Sequence, residues 1–82
     1  MAKKTVCVRY FAALREQRGL SEEKRETLAE TPAELYEELK TEFGFPLRID
    51  QLRVATNSTY VEMTAPLKDG DVLTFIPPVA GG

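Results

Sequence analysis

Residues Thr5–Phe11 read T-V-C-V-R-Y-F, a run of β-branched and aromatic side chains that alternates in polarity. Such alternation predicts a half-buried strand. Because Arg9 requires water, the Val6, Val8 and Tyr10 face is the core side. Cys7 and Phe11 then share the outer side with Arg9. Ala12–Arg18 contains good helix formers and is followed by Gly19, a residue suited to the left-handed turn that closes a helix. The polar stretch Leu20–Lys24 reads as a loop, and Arg25–Leu28 as a second strand. Thr31-Pro32-Ala33-Glu34 has capping-box spacing, with a hydroxyl at the N-cap, proline at the first helical position and Glu at the third. Leu35, Leu39 and Phe43 recur at intervals of four, a single apolar stripe. Glu37, Glu38, Lys40 and Glu42 occupy the other faces, and Gly44 ends the helix. Arg53–Thr56 and Thr59–Glu62 read as short strands about an Asn57-Ser58 turn. Pro66–Asp71 is turn chemistry built around Gly70. Val72–Ile76 is the last strand, with Leu73 and Phe75 on one face and Val72, Thr74 and Ile76 on the other. One main helix against four or five strands predicts an α+β domain, with the helix covering one face of the sheet. No repeat or linker divides residues 1–82, so they form a single unit.

Composition narrows the chemistry more than the fold. The 82 residues include 11 Lys+Arg and 13 Asp+Glu, for a formal charge of −2, with no His, no Trp and a single cysteine. One Cys without His cannot assemble a zinc site, an iron–sulfur site or a disulfide framework. It also excludes a Ser–His or Cys–His nucleophile pair within this chain. The slight acidity argues against a nucleic-acid binder. The apolar runs are too short to span a membrane, and Met-Ala-Lys-Lys leads into a strand rather than a signal core. The Asn57-Ser58-Thr59 sequon then has no secretory context. A cytoplasmic protein with a reduced Cys7 is the expectation. Nothing near Cys7 in sequence lowers its pKa, so it reads as a strand residue.

Two features point to function. After the last strand comes Pro77-Pro78-Val79-Ala80-Gly81-Gly82. Proline donates no backbone hydrogen bond, so the ladder stops and residues 77–82 are expected to project as an extended, mobile tail. With so little side-chain bulk, Gly81-Gly82 can thread a narrow channel and carry the Gly82 carboxylate to catalytic groups elsewhere. If the first and last strands pair, Phe11, Ile76, Pro77 and Val79 form an apolar patch at the root of that tail, which reads as a partner site. The acidic helix and Arg15 are either partner contacts or solvated charges.

These residues resemble the small subunits of molybdopterin synthase, the MoaD type among the ubiquitin-like β-grasp sulfur carriers. The likeness runs from Tyr10-Phe11-Ala12-Ala13-Leu14-Arg15-Glu16 through Asn57 and Pro66-Leu67-Lys68-Asp69-Gly70-Asp71. It is most specific at Phe75-Ile76-Pro77-Pro78-Val79-Ala80-Gly81-Gly82. The resemblance implies a ubiquitin-like β-grasp, a mixed sheet packed on one main helix, with adjacent, parallel first and last strands. It implies a non-catalytic sulfur-donor subunit whose reacting residue is Gly82, with Gly81, Ala80 and Val79 giving tail access and Phe11, Ile76, Pro77, Pro78 and Val79 meeting the partner. In such carriers an E1-like adenylyltransferase uses ATP to adenylate the C-terminal carboxylate. A persulfide donor then converts it to a thiocarboxylate. The large subunit, in a heterotetramer of two small and two large chains, accepts the tail, and the sulfur passes to cyclic pyranopterin monophosphate. No cofactor or metal is expected on the chain itself. Carriers for thiamin or tRNA thiolation, and ubiquitin-like protein modifiers, share the Gly-Gly ending and are the alternatives.

Overall fold

In the computed structural model, which describes residues 3–78, the alternation at the start of the chain becomes β1 (Lys4–Tyr10), with Val6, Val8 and Tyr10 buried. A short helix α1 (Ala12–Arg18) follows and closes on Gly19, whose φ of 85° is the left-handed geometry glycine accepts without strain. The next strand, β2, runs Glu22–Thr27. Sequence pattern had placed a loop over Leu20–Lys24 and a strand over Arg25–Leu28, so the strand begins earlier than expected. Leu28 lies outside it. The main helix α2 (Pro32–Phe43) starts where its cap predicts: the Thr31 hydroxyl accepts a bond from the Glu34 N–H at 3.2 Å. The Glu34 carboxylate reaches one residue further back than a capping box requires, accepting from the Glu30 N–H at 3.0 Å. A single 3-10 turn (Ile49–Gln51) then leads to β3 (Arg53–Thr56), β4 (Thr59–Val61) and β5 (Val72–Ile76).

The strands form one mixed sheet in the order β2-β1-β5-β3-β4. Its centre joins the two ends of the chain, since β1 and β5 run parallel with Cys7 beside Val72 and Tyr10 beside Phe75. The remaining pairs are antiparallel. Asn57 and Ser58 both take positive φ, 51° and 74°, between β3 and β4. This mirror-image turn suits the twist of a two-residue hairpin. Asn57 also ties that hairpin to β5: its side-chain carbonyl accepts from the Val72 N–H and its amide donates to Asp71.

α2 lies against one face of the sheet. Leu35 and Leu39 are buried with Val8, Leu14, Leu73 and Phe75, and Phe43 packs at the edge of the same cluster. Tyr36, off the predicted stripe, is buried as well, because its ring meets Phe45 and Phe75 and its hydroxyl donates to the Leu47 carbonyl at 2.8 Å. Burial pushes its phenol up to about 12. This arrangement is the α+β, β-grasp architecture anticipated from the sequence.

β2 lines that inner face with polar residues. Glu23, Arg25 and Thr27 point the same way as Val8, Val6 and Lys4. Glu23 accepts two bonds from Arg18, each 2.8 Å, and one from the Tyr10 hydroxyl at 2.6 Å. Those partners hold its carboxyl below the usual carboxylate range, with the Arg18 bonds foremost. Arg25 pairs with Glu42 at 2.9 Å, and Thr27 donates to Glu38. Phe43 lies beneath the Arg18 guanidinium, 4.0 Å from ring centre to its carbon.

Candidate functional site

The parallel β1–β5 pair sends both of its C-terminal ends to the same edge of the molecule. There the chain turns into α1 at Phe11 on one side and leaves through Pro77-Pro78 on the other. Phe11, Ala12, Ala13, Glu16, Ile76, Pro77 and Pro78 enclose a cleft of about 460 Å³. Its lining is mainly apolar, and Phe11 is 44% exposed in spite of its size. Of the residues expected to meet at the tail root, Phe11, Ile76 and Pro77 line this one cleft. Ile76 is half-buried and Pro78 exposed, but Pro77 is buried. Pro77 serves as a wall of the cleft rather than as the displayed contact that the sequence suggested. Burial also anchors the described start of the tail segment. Val79, Ala80, Gly81 and Gly82 lie outside the described residues.

Backbone geometry explains how Phe11 comes to be displayed. Ala12 has φ of 52°, a left-handed conformation that residues with a Cβ seldom adopt. This reverses the chain immediately after β1, so that Phe11 caps α1 from outside the core. Its carbonyl accepts the Leu14 N–H at 3.1 Å. Sequence reasoning placed Phe11 here without Ala12, Ala13 or Glu16, because alternation says nothing about a turn made by alanine.

A second cleft, of about 620 Å³, flanks the other side of the same stem. It is lined by Asp50, Gln51, Leu52, Arg53, Tyr60, Ile76, Pro77 and Pro78. None of its residues outside the stem was singled out from sequence. They come from segments far apart along the chain, and only the antiparallel β3–β5 register, with Arg53 beside Ile76, brings them to the stem. The signal that existed was the charged Arg53 opening a short apolar run at Val54 and Ala55.

Cys7 sits half-buried on the open face of the sheet, with its thiol 3.8 Å from a Glu22 carboxylate oxygen. Burial and that neighbouring negative charge both push the thiol up, so it is not an activated thiolate. Among the described residues no group of three or more His, Cys, Asp or Glu converges to hold a metal ion. No helix among them is long and apolar enough to cross a membrane. Among the described residues, then, the stem is flanked by two clefts, the one beside Phe11 mainly apolar.

Comparison with known proteins agrees with this picture. The ThiS family pattern matches residues 8–82. No curated protein matches the chain by sequence. Among solved structures, a Pyrococcus furiosus protein assigned as molybdopterin converting factor subunit 1 is 34% identical. The match covers 93% of this chain and 99% of that one, with a TM-score of 0.78. A Helicobacter pylori complex of subunits 1 and 2 of molybdopterin-converting factor matches at 32% identity, over 95% and 99% of the two chains, with a TM-score of 0.63. SAMP1 of Haloferax volcanii shares the fold at a TM-score of 0.77 and 22% identity, over 95% and 99% of the two chains. With the family pattern spanning the sheet, the main helix and the stem, this chain belongs to the ThiS family, the β-grasp group of ThiS/MoaD type.

Proposed function

We propose that this chain is the sulfur-carrying small subunit of a molybdopterin synthase. One observation carries the reading: the β1–β5 pair delivers a proline-anchored stem between two clefts, in a chain about a third identical to molybdopterin converting factor subunit 1. A carboxylate is a poor electrophile, because its carbonyl is electron-rich and it lacks a leaving group. In the proposed cycle an E1-like adenylyltransferase joins AMP from ATP to the Gly82 carboxylate and releases pyrophosphate. The outer sulfur of a persulfide attacks the acyl carbon and AMP departs. A second thiol then cleaves the acyl disulfide, leaving the thiocarboxylate. The stem docks on the large subunit, Gly81 and Gly82 enter its active site, and the sulfur passes to cyclic pyranopterin monophosphate. Two charged carriers are consumed for each dithiolene.

The chain's own residues contribute access and docking in this scheme. Pro77 and Pro78 set the direction of exit, and Phe11 and Ile76 offer apolar contact beside it. Acid–base groups belong to the partner, which fits a chain with no His.

Intact mass after incubation with ATP, the activating enzyme and a sulfur donor tests the proposal. The expected result is replacement of one oxygen by sulfur, confined to the C-terminal peptide. Deleting Gly82, or adding a residue after it, should abolish sulfur transfer with the thermal melt unchanged. An unmodified carboxylate under these conditions, or activity retained by the extended chain, would remove the sulfur-carrier reading. Lysine-linked adducts would replace it with that of a protein modifier.

A further inference from the structure

A seven-residue helix does not hold its shape unaided, and α1 has little of its own to hold it. Phe11, at its N-cap, makes no side-chain cap bond, and Leu14 is its one buried residue. Entry to the helix is strained as well, because Ala12 sits in the left-handed region. Strain of this kind persists only where the surroundings over-determine the backbone. Yet this is the segment that builds one side of the tail-root cleft, through Phe11, Ala12, Ala13 and Glu16.

What fixes the segment comes from β2. Leu14 and Arg18 are four residues apart and so share a face of α1. Leu14 enters the core, and Arg18 delivers its guanidinium to Glu23 through two bonds of 2.8 Å, with the Phe43 ring against it. The same carboxylate accepts the Tyr10 hydroxyl at 2.6 Å. Tyr10 is the last residue of β1 and Arg18 the last of α1. One carboxylate therefore grips the chain on both sides of residues 11–17, which contain the strained turn and the cleft wall. All three bonds are charge-assisted, and the Arg18 and Glu23 side chains are only 24% and 20% exposed, so water competes weakly for them. Glu23 itself is not among the residues that line the cleft.

We infer that Glu23 is a positioning residue for partner docking: by holding Tyr10 and Arg18 it sets α1 and, through α1, the place of Phe11 beside the stem. This rests on the sulfur-carrier reading and adds to it a residue of β2, outside the cleft, that governs how the stem is presented. Glu23 touches neither the partner nor the transferred sulfur. Its effect passes through Phe11, which separates it from a residue that only stabilises the fold.

The test is calorimetric titration of the cognate large subunit with the wild-type chain, Glu23→Gln, Phe11→Ala, the double variant, and Thr31→Ala, whose lost hydroxyl caps α2 rather than α1. Glu23→Gln should weaken binding by about fivefold or more in the wild-type background. In the Phe11→Ala background the same change should weaken it by less than about twofold, because the contact it positions is already gone. Thr31→Ala should alter binding by less than about twofold, in spite of its cost in stability. Thermal melts establish that each variant is folded at the assay temperature. If Glu23→Gln unfolds the chain, Arg18→Gln takes its place with the same expectations, since it breaks the same grip from the helix side. Wild-type affinity in Glu23→Gln, losses that add in full with Phe11→Ala, or an equal loss in Thr31→Ala would each overturn the positioning role, while sulfur loading of the wild type still upheld the carrier. A wild-type chain that takes up no sulfur and does not bind the large subunit would overturn both.

Discussion

Ala12 is the least comfortable residue in the backbone beside the stem. A left-handed conformation costs a residue with a Cβ about 1–2 kcal/mol, and here the strain sits directly behind the displayed Phe11. Ala12→Gly removes that cost but adds about 0.4–1 kcal/mol of unfolded-chain entropy, so the net change should be neutral to slightly stabilising. Ala13→Gly, one residue on in ordinary helix, should instead lose about 0.5–1 kcal/mol. Urea unfolding of the two variants checks the contrast, and equal losses would contradict it. Glu23 offers a second residue-scale test. Its carboxyl ionises more readily in the folded chain, chiefly through Arg18. The stability it supplies is therefore complete above the ordinary carboxylate range, about pH 4–5, and drains away as the pH falls through its lower folded value. Glu23→Gln should cost about 1.5–3 kcal/mol at neutral pH and flatten the acid limb of a stability–pH curve.

Among the elements, α2 was legible nearly to the residue and β2 was not. Thr31, Pro32 and Glu34 write the start of α2 locally, Gly44 writes its end, and the Leu35–Leu39 spacing writes its buried face. Thr31→Ala should lower stability by about 1 kcal/mol in urea unfolding, through loss of the bond to the Glu34 N–H. Strand β2 could not be read in this way because its inner positions are Glu23, Arg25 and Thr27. A strand is recognised by apolar residues at alternate positions. These three are tolerated inside because Arg18, Tyr10, Glu38 and Glu42 arrive from α1, β1 and α2 to pair with them, leaving only the buried Arg25 Nε without a partner among the described residues. Such partners are set by tertiary structure and leave no local trace. Tyr36 escaped the helical stripe for a similar reason, since what buries it is a ring cluster with Phe45 and Phe75.

For the molecule as a whole, half of the candidate site was visible along the chain. Phe11 directly follows one strand and Pro77-Pro78 directly follow another, so only the pairing of those strands had to be inferred. Asp50, Gln51, Arg53 and Tyr60 reach the same stem through the β5–β3–β4 order, which no single segment reveals. Phe11→Asp and Ile76→Asp place a charge on the apolar side of the stem while leaving the fully buried side chains untouched. Each should raise the dissociation constant for the large subunit by about tenfold or more, equivalent to about 1.4 kcal/mol, with an unchanged melting temperature. Binding at wild-type strength would move the contact elsewhere.

The central position of β5 also bears on when a carrier comes into being. Cys7 is paired with Val72, so the middle of the sheet closes only after nearly the whole chain is available, and the loop to be closed is almost the length of the domain. A nascent or truncated chain ending before Val72 leaves β1 and β3 with no strand between them and the core open along Val8 and Val54. Folding and the presentation of the stem are therefore a single event. Under the proposed function, an activating enzyme that recognises the stem beside its sheet would need no means of telling unfinished chains from finished ones, because an unfinished chain has nothing to offer it.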